Sequence, residues 1–288
     1  MFDWLNGGLE FLERCHSLWR RATAPETTAQ RFRRLFTSHG VAEAQIPRFF
    51  DHGLTLADVA DDARLTAALT PAMLADAAAL FAIRLEWLEG ATDQIYDVHD
   101  FYKQPAEAEA FFRALGERSS GEMLASLLIA PPSSDTADSV LVVDEPIGTL
   151  GERQICRYHL LGGWVYGYWR CRAYLAACVA AARRHHVYVV GYGITAKVCA
   201  QLNKGLAFPA ILDERSGYAS RRWEAEDLTW KPDVFLKGIN EPQCFDKALQ
   251  LWLELDDCGY MNTGQGSARA AFAAKLQTLS GNNSCLMR

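Results

Sequence analysis

The sequence predicts an α+β chain, with an all-α N-terminal half followed by an α/β C-terminal half. Three observations predict it. Over the first 130 residues, apolar positions recur at helical spacing between Pro, Thr and Gly boundary signals. Beyond 138, short β-branched runs alternate with helical segments. Between them, PPSSDTAD at 131–138 is the most linker-like stretch in the chain. This gives domains over 1–130 and 139–288, and 288 residues fit two domains of ordinary size.

The first helix is expected over 4–22, where Leu5, Leu9, Leu12 and Trp19 share a face. Gly7 and Gly8 weaken its first turn by about 1 kcal/mol each. After a break at TAPETT, a second helix over about 28–39 ends at Gly40, a C-cap glycine. A third covers about 42–50 with Ile46, Phe49 and Phe50, and short segments follow at 54–61 and 62–69. Thr70 caps a helix that opens with Pro71 and runs to about 82; another, 84–89, stops at Gly90. One or two more helices are expected over 104–129, behind Pro105 and Gly121.

In the second half, Val140–Val143 and Arg153–Leu161 read as strands, followed by a long helix over about 165–184. Val187–Val190 is a strand, 195–204 a helix and 208–212 a strand. Val234–Leu236 is a further strand candidate, ahead of a helix over about 242–254.

Composition excludes several classes. With 50% apolar and 22% charged residues the chain is not a disordered one. Uncharged runs such as 123–134 stop at 12 residues, short of the roughly 18–20 a membrane helix needs. The start MFDWLNGGLEFLERC lacks a basic region and a small-residue cleavage site, which predicts no secretory signal and a cytoplasmic chain. Eight cysteines without a C-x-x-C pair, and His185-His186 without a partner at ligand spacing, argue against structural zinc. Cys171 and Cys178 are expected to pack a helix face with Leu175 and Ala182. The net charge of −6 divides into −11 over 1–150 and +5 over 151–288, with seven bases against one acid over 151–200.

Segment 70–90, TPAMLADAAALFAIRLEWLEG, resembles the end of the XRE, or lambda-repressor-like, helix-turn-helix domain. The match rests on Pro71, Leu74, Ala77, Phe81, Ile83, Trp87, Leu88 and Gly90. Residues 31–50 resemble the family's first helix, glycine turn and second helix. The resemblance covers about 60 of 288 residues and implies DNA binding. On these positions it makes Arg31, Arg33 and Arg34 phosphate contacts, and Gln45, Arg48 and Thr55 base-reading donors. The middle departs from the pattern: LTLADVADDARL, 54–65, carries Asp58, Asp61 and Asp62 with only Arg64, and Pro47 falls inside the supposed second helix. Carboxylates at that face repel phosphate, so a protein-interaction module with a degenerate helix-turn-helix fold is the alternative.

The C-terminal half carries one local motif. A hydrophobic strand leads into Gly191-Tyr-Gly193-x-x-Ala196, then a helix, then Asp213 at 22 residues from the first glycine. This resembles a Rossmann-like unit over fewer than 30 residues. It implies a tight turn at Gly191, close backbone approach to a nucleotide phosphate at Gly193, added charge from Lys197 and a ribose contact at Asp213. A ligand-free strand–helix turn fits the same residues. Basic residues interleaved with aromatics over 153–188 suit a nucleic-acid backbone, a helix C-terminus with a half-buried sheet, or docking on the acidic 41–100 face. The motifs G-x-S-x-G, H-E-x-x-H and a Walker lysine are absent, so the reading leans away from an enzyme.

The expectation is therefore a cytoplasmic transcription regulator: a helix-turn-helix-like domain joined to an α/β domain that senses a ligand or sets oligomeric state. Its partners would be DNA, a protein or a second copy, with no membrane and no obligatory cofactor. The alternatives are a protein adaptor and a nucleotide-binding enzyme or sensor built on 187–214.

Overall fold

The computed structural model describes residues 26–119, 123–131, 137–212 and 222–285. The helix expected over 4–22 lies outside them, as do Asp213 and most of the 131–138 segment.

Polar side chains set the helix starts in the first part. Thr27 and Gln30 form a reciprocal capping box ahead of α1 (Thr28–Ser38), and Gly40 leaves it at φ +84°. A 3-10 turn at Glu43–Gln45 runs into α2 (Ile46–Phe49). Thr55 caps α3 (Leu56–Val59) and Asp61 caps α4 (Asp62–Ala68). Thr70 accepts from the Met73 amide at the start of α5 (Pro71–Phe81), and α6 (Leu85–Leu88) follows. Phe32, Phe36, Phe50 and Phe81 meet at centroid distances of 4.8–5.8 Å and fill the centre of this group.

A mixed sheet of six strands in the order β1-β4-β3-β2-β5-β6 forms the middle layer. Its strands are β1 (Val98–His99), β2 (Met123–Ile129), β3 (Ser139–Leu150), β4 (Arg153–Trp164), β5 (Val187–Gly193) and β6 (Trp223–Glu224). Strands β2, β3 and β4 are an antiparallel meander, and β5 returns parallel to β2. The crossover between them holds α8 (Trp169–Arg184), which is buried along nearly its whole length.

Strand alternation separates two cores. Leu128, Val140, Val142, Leu150, Ile155 and Leu160 face α1–α6 and the inner side of α9 (Ala196–Asn203). Ala125, Leu127, Leu141, Val143 and Leu161 face α7 (Pro105–Arg118) and α8. Behind α8 on that side lie α10 (Asp227–Trp230), α11 (Pro232–Leu236), α12 (Phe245–Asp257) and α13 (Arg269–Cys285). The sheet is covered by helices on both faces. Cys171, Cys178, Leu175 and Ala182 are all buried, as their spacing predicts.

The chain is α+β, as expected, with five local corrections. Residues 123–129 are the central strand β2 and not helix: flanked by β3 and β5, with Leu127 and Leu128 buried on opposite faces, the strand reads as a continuous apolar run. Residues 209–212 form a 3-10 turn and 232–236 the helix α11, where strands were expected; a proline opens each. The long helix begins at Trp169 and not at 165. The segment 131–138 joins β2 to β3, adjacent strands of one sheet, so it does not separate two cores. Residues of α1–α6 and of the sheet share one apolar cluster.

Candidate functional site

The three arginines assigned to phosphates all have partners within the chain, although Arg34 stays exposed. Arg31 is buried; its guanidinium donates to the Trp87 carbonyl at 2.7 Å and the Thr92 carbonyl at 3.2 Å. Arg33 donates to the Val59 carbonyl and pairs with Asp62. Arg34 pairs with Glu26 at 3.0 Å and stacks on the Trp87 and Phe208 rings. Gln45 turns back on the Ala42 amide, and Thr55 is spent on the α3 cap; both stay exposed, as does Arg48. The structure thus brings Arg31, Arg33 and Arg34 together on α1 but turns them towards neighbouring protein groups.

The bases of 151–200 are also mostly paired. Glu145, buried on β3, accepts from Arg157 at 2.6 and 2.8 Å, from His159 at 2.6 Å and from Arg118 at 3.3 Å. Burial alone would raise its carboxyl, but the hydrogen bonds from His159, Arg157 and Arg118 and the Arg157 charge hold it well below the usual range. Arg183 pairs with Glu226 and stacks on Tyr188; Arg184 and His185 pair with Glu109. These partners come from 101–150 and 201–250, so docking of this stretch on the acidic 41–100 face is not how the charges are met.

The glycine motif has a different role from a phosphate turn. Gly191 and Gly193 are the last residues of β5, paired with Leu127 and Ile129 of β2, and neither has a positive φ. Ile194 continues the pairing by donating to the Ile129 carbonyl, and at the start of α9 the Val198 amide is met by the Thr195 hydroxyl. Lys197 is exposed on α9. The hollow of about 380 Å³ beside α9 holds the Asp138 carboxylate, which burial pushes up in pKa.

What Gly191 does is seat an aromatic ring. Trp223 of β6 pairs with it, and a Cβ added to Gly191 would overlap the Trp223 indole. Lying flat against the strand, the indole forms one wall of a cleft of about 420 Å³ lined by Ile129, Tyr166, Trp223, Val234 and Gly238. Glu224, Asp227 and Lys237 complete its lining. Tyr166 meets Trp223 at 6.5 Å and 69°, an aromatic corner. The cleft opens beyond the carboxyl ends of the parallel pair β2 and β5, where α/β sheets present ligand sites.

A buried arginine fixes the two walls. Arg172 on α8 is fully buried, and its guanidinium carbon stands 3.4 Å from the Tyr166 ring centre. It donates twice to the Tyr166 carbonyl, at 2.7 and 3.0 Å, and to the carbonyls of Phe235 and Lys237 at 2.8 and 3.0 Å. Arg172 was legible in the sequence only as one more base in a basic stretch.

No protein-family model matches the chain, and no curated protein or solved structure does. Among the described residues there is no cluster of His, Cys, Asp and Glu able to hold a metal ion. No helix among them is long and apolar enough to cross a membrane.

Proposed function

We propose that the chain is a ligand-responsive regulatory protein. Its cleft beside Trp223 takes a small planar ligand bearing an amine, and its helical layer is the output module. The observation that carries this reading is the built aromatic corner: Gly191 makes room for Trp223, and Arg172 locks Tyr166 against the 235–238 segment. An apolar body would fill the corner, and the Glu224 and Asp227 carboxylates would accept from the ammonium.

Two outputs fit. Transcription regulation through DNA rests on the helix-turn-helix resemblance and leaves Gln45 and Arg48 as contacts, since Thr55 is held in the α3 cap and Arg64 pairs with Asp58. Docking of a protein is favoured by one observation: Leu56, 61% exposed, stands on α3 beside Asp58, Asp61 and Asp62, where phosphate would be repelled.

Calorimetry with tryptamine tests the cleft. Saturable binding that is lost in Trp223→Leu and weakened at least tenfold in Glu224→Gln/Asp227→Asn supports it. Absence of heat from the wild type at millimolar tryptamine ends the reading. Fluorescence anisotropy with duplex DNA separates the outputs. Salt-sensitive binding equal on all sequences, or none, removes the transcription reading in favour of the adaptor.

A further inference from the structure

Most cations in the described residues are met by carboxylates or carbonyls, but three unpaired ones gather around a single hollow. It measures about 360 Å³ and is lined by Lys103, Trp169, Arg170, Tyr174, Lys247, Gln250, Leu251 and Glu254. It lies on the α7/α8/α12 side of the molecule, and none of its lining residues takes part in the cleft beside Trp223. Three separate elements build it. Lys103 comes from the loop before α7 and holds φ at +62°. Trp169, Arg170 and Tyr174 come from the first turns of α8. Lys247, Gln250, Leu251 and Glu254 stand at i, i+3, i+4 and i+7 of α12 and share one face.

The three cations have no carboxylate within 4.0 Å among the described residues. Lys103 Nζ instead lies 5.0 Å from the Tyr102 ring, and the Arg170 guanidinium lies 4.9 Å from the Trp169 ring. The aromatic wall is ordered by its own packing, with Tyr102 against Tyr174 at 5.8 Å and 89°. Three positive groups and one carboxylate, Glu254, leave the lining with net positive charge next to half-buried rings. An anion alone would not use the rings, and an apolar ring alone would leave the cations unmet.

We propose that this hollow binds a mononucleotide. Its phosphate is met by Lys103, Arg170 and Lys247, its base lies against Trp169 or Tyr174, and Gln250 and Glu254 accept from an amino group on the base. The site is independent of the cleft, so its failure leaves the proposed function standing, and the reverse.

The experiment is calorimetry of the full chain with AMP, ribose 5-phosphate, adenosine and inorganic phosphate. The expected result is saturable AMP binding at least tenfold tighter than ribose 5-phosphate or phosphate, weakening as salt rises. Arg170→Gln and Lys247→Gln, both at exposed positions, are expected to weaken it at least fivefold each, and Trp223→Leu is expected to leave it unchanged. Four results would each overturn the proposal: no saturable heat at millimolar AMP, equal affinity for AMP and phosphate, wild-type affinity in both Gln variants, or loss of AMP binding in Trp223→Leu. Equal affinity for AMP and phosphate would mark the hollow as a place for an adventitious ion only.

Discussion

His39 shows how one side chain can set a pH limit. It is buried between helices and sheet, with Nδ1 against the Leu35 carbonyl at 2.7 Å and Nε2 against the Tyr96 hydroxyl at 3.1 Å. Its ring stacks on Tyr158 of β4 at 5.1 Å. Burial lowers its pKa to about 4, against 6.5 for the free side chain. The folded protein therefore holds the neutral ring while the unfolded chain takes up a proton below pH 6.5. Stability is full above that pH and is lost as the pH falls towards 4, by up to about 3 kcal/mol. His99, also lowered by burial, acts in the same direction. Urea unfolding at pH 7 and pH 4.5 should show this loss, and His39→Gln should flatten it. Arg31 gives a second expectation at this scale. Removing its buried donors strands the Trp87 and Thr92 carbonyls, so Arg31→Ala should cost about 1–3 kcal/mol by urea unfolding. Any loss of DNA affinity in that variant would report unfolding and not a missing phosphate contact. Gly191→Ala drives a methyl into the Trp223 indole, and overpacking of this kind costs about 1–3 kcal/mol. Tryptamine binding should fall with it.

At the scale of elements, the sequence was most legible where chemistry is local. Thr27, Thr70, Gly40 and Gly90 mark boundaries through their own side chains or backbone freedom, and α1, α5 and α6 stand where those signals place them. Thr27→Ala should therefore cost about 1 kcal/mol, read as a lower midpoint in thermal unfolding. Legibility failed where a partner decides. MLASLLI becomes a strand because β3 and β5 flank it, and nothing within seven residues says so. The G-x-G pattern of 191–193 was visible, but its cause, an indole contributed by Trp223 from another strand, was not. Arg31, Arg33 and Arg34 were rightly grouped on one helix, yet their direction depends on Trp87, Thr92 and Asp62, which only the tertiary fold brings near. The cleft and the basic hollow escaped notice for the same reason, since each draws its lining from three or more distant segments.

Taken whole, the molecule does not divide where its composition changes. A fragment ending at residue 130 would carry β2 without β3 or β5 and leave Leu127 and Leu128 uncovered. Such a fragment should aggregate or elute as a swollen species in gel filtration, whereas the full chain should unfold with coincident fluorescence and circular dichroism transitions. The position of β2 also has a consequence during synthesis. Its neighbour β5 leaves the ribosome about 60 residues later, several seconds at ordinary elongation rates. For the first part of that interval, until β4 ends at Trp164, α1–α6 have emerged without the floor that β3 and β4 provide. Their phenylalanine cluster must wait, partly exposed, for partners still being translated. Nascent chains of this protein should accordingly be clients of trigger-type chaperones until residue 193 has cleared the exit tunnel, and codon choice across 131–187 should influence the yield of folded protein.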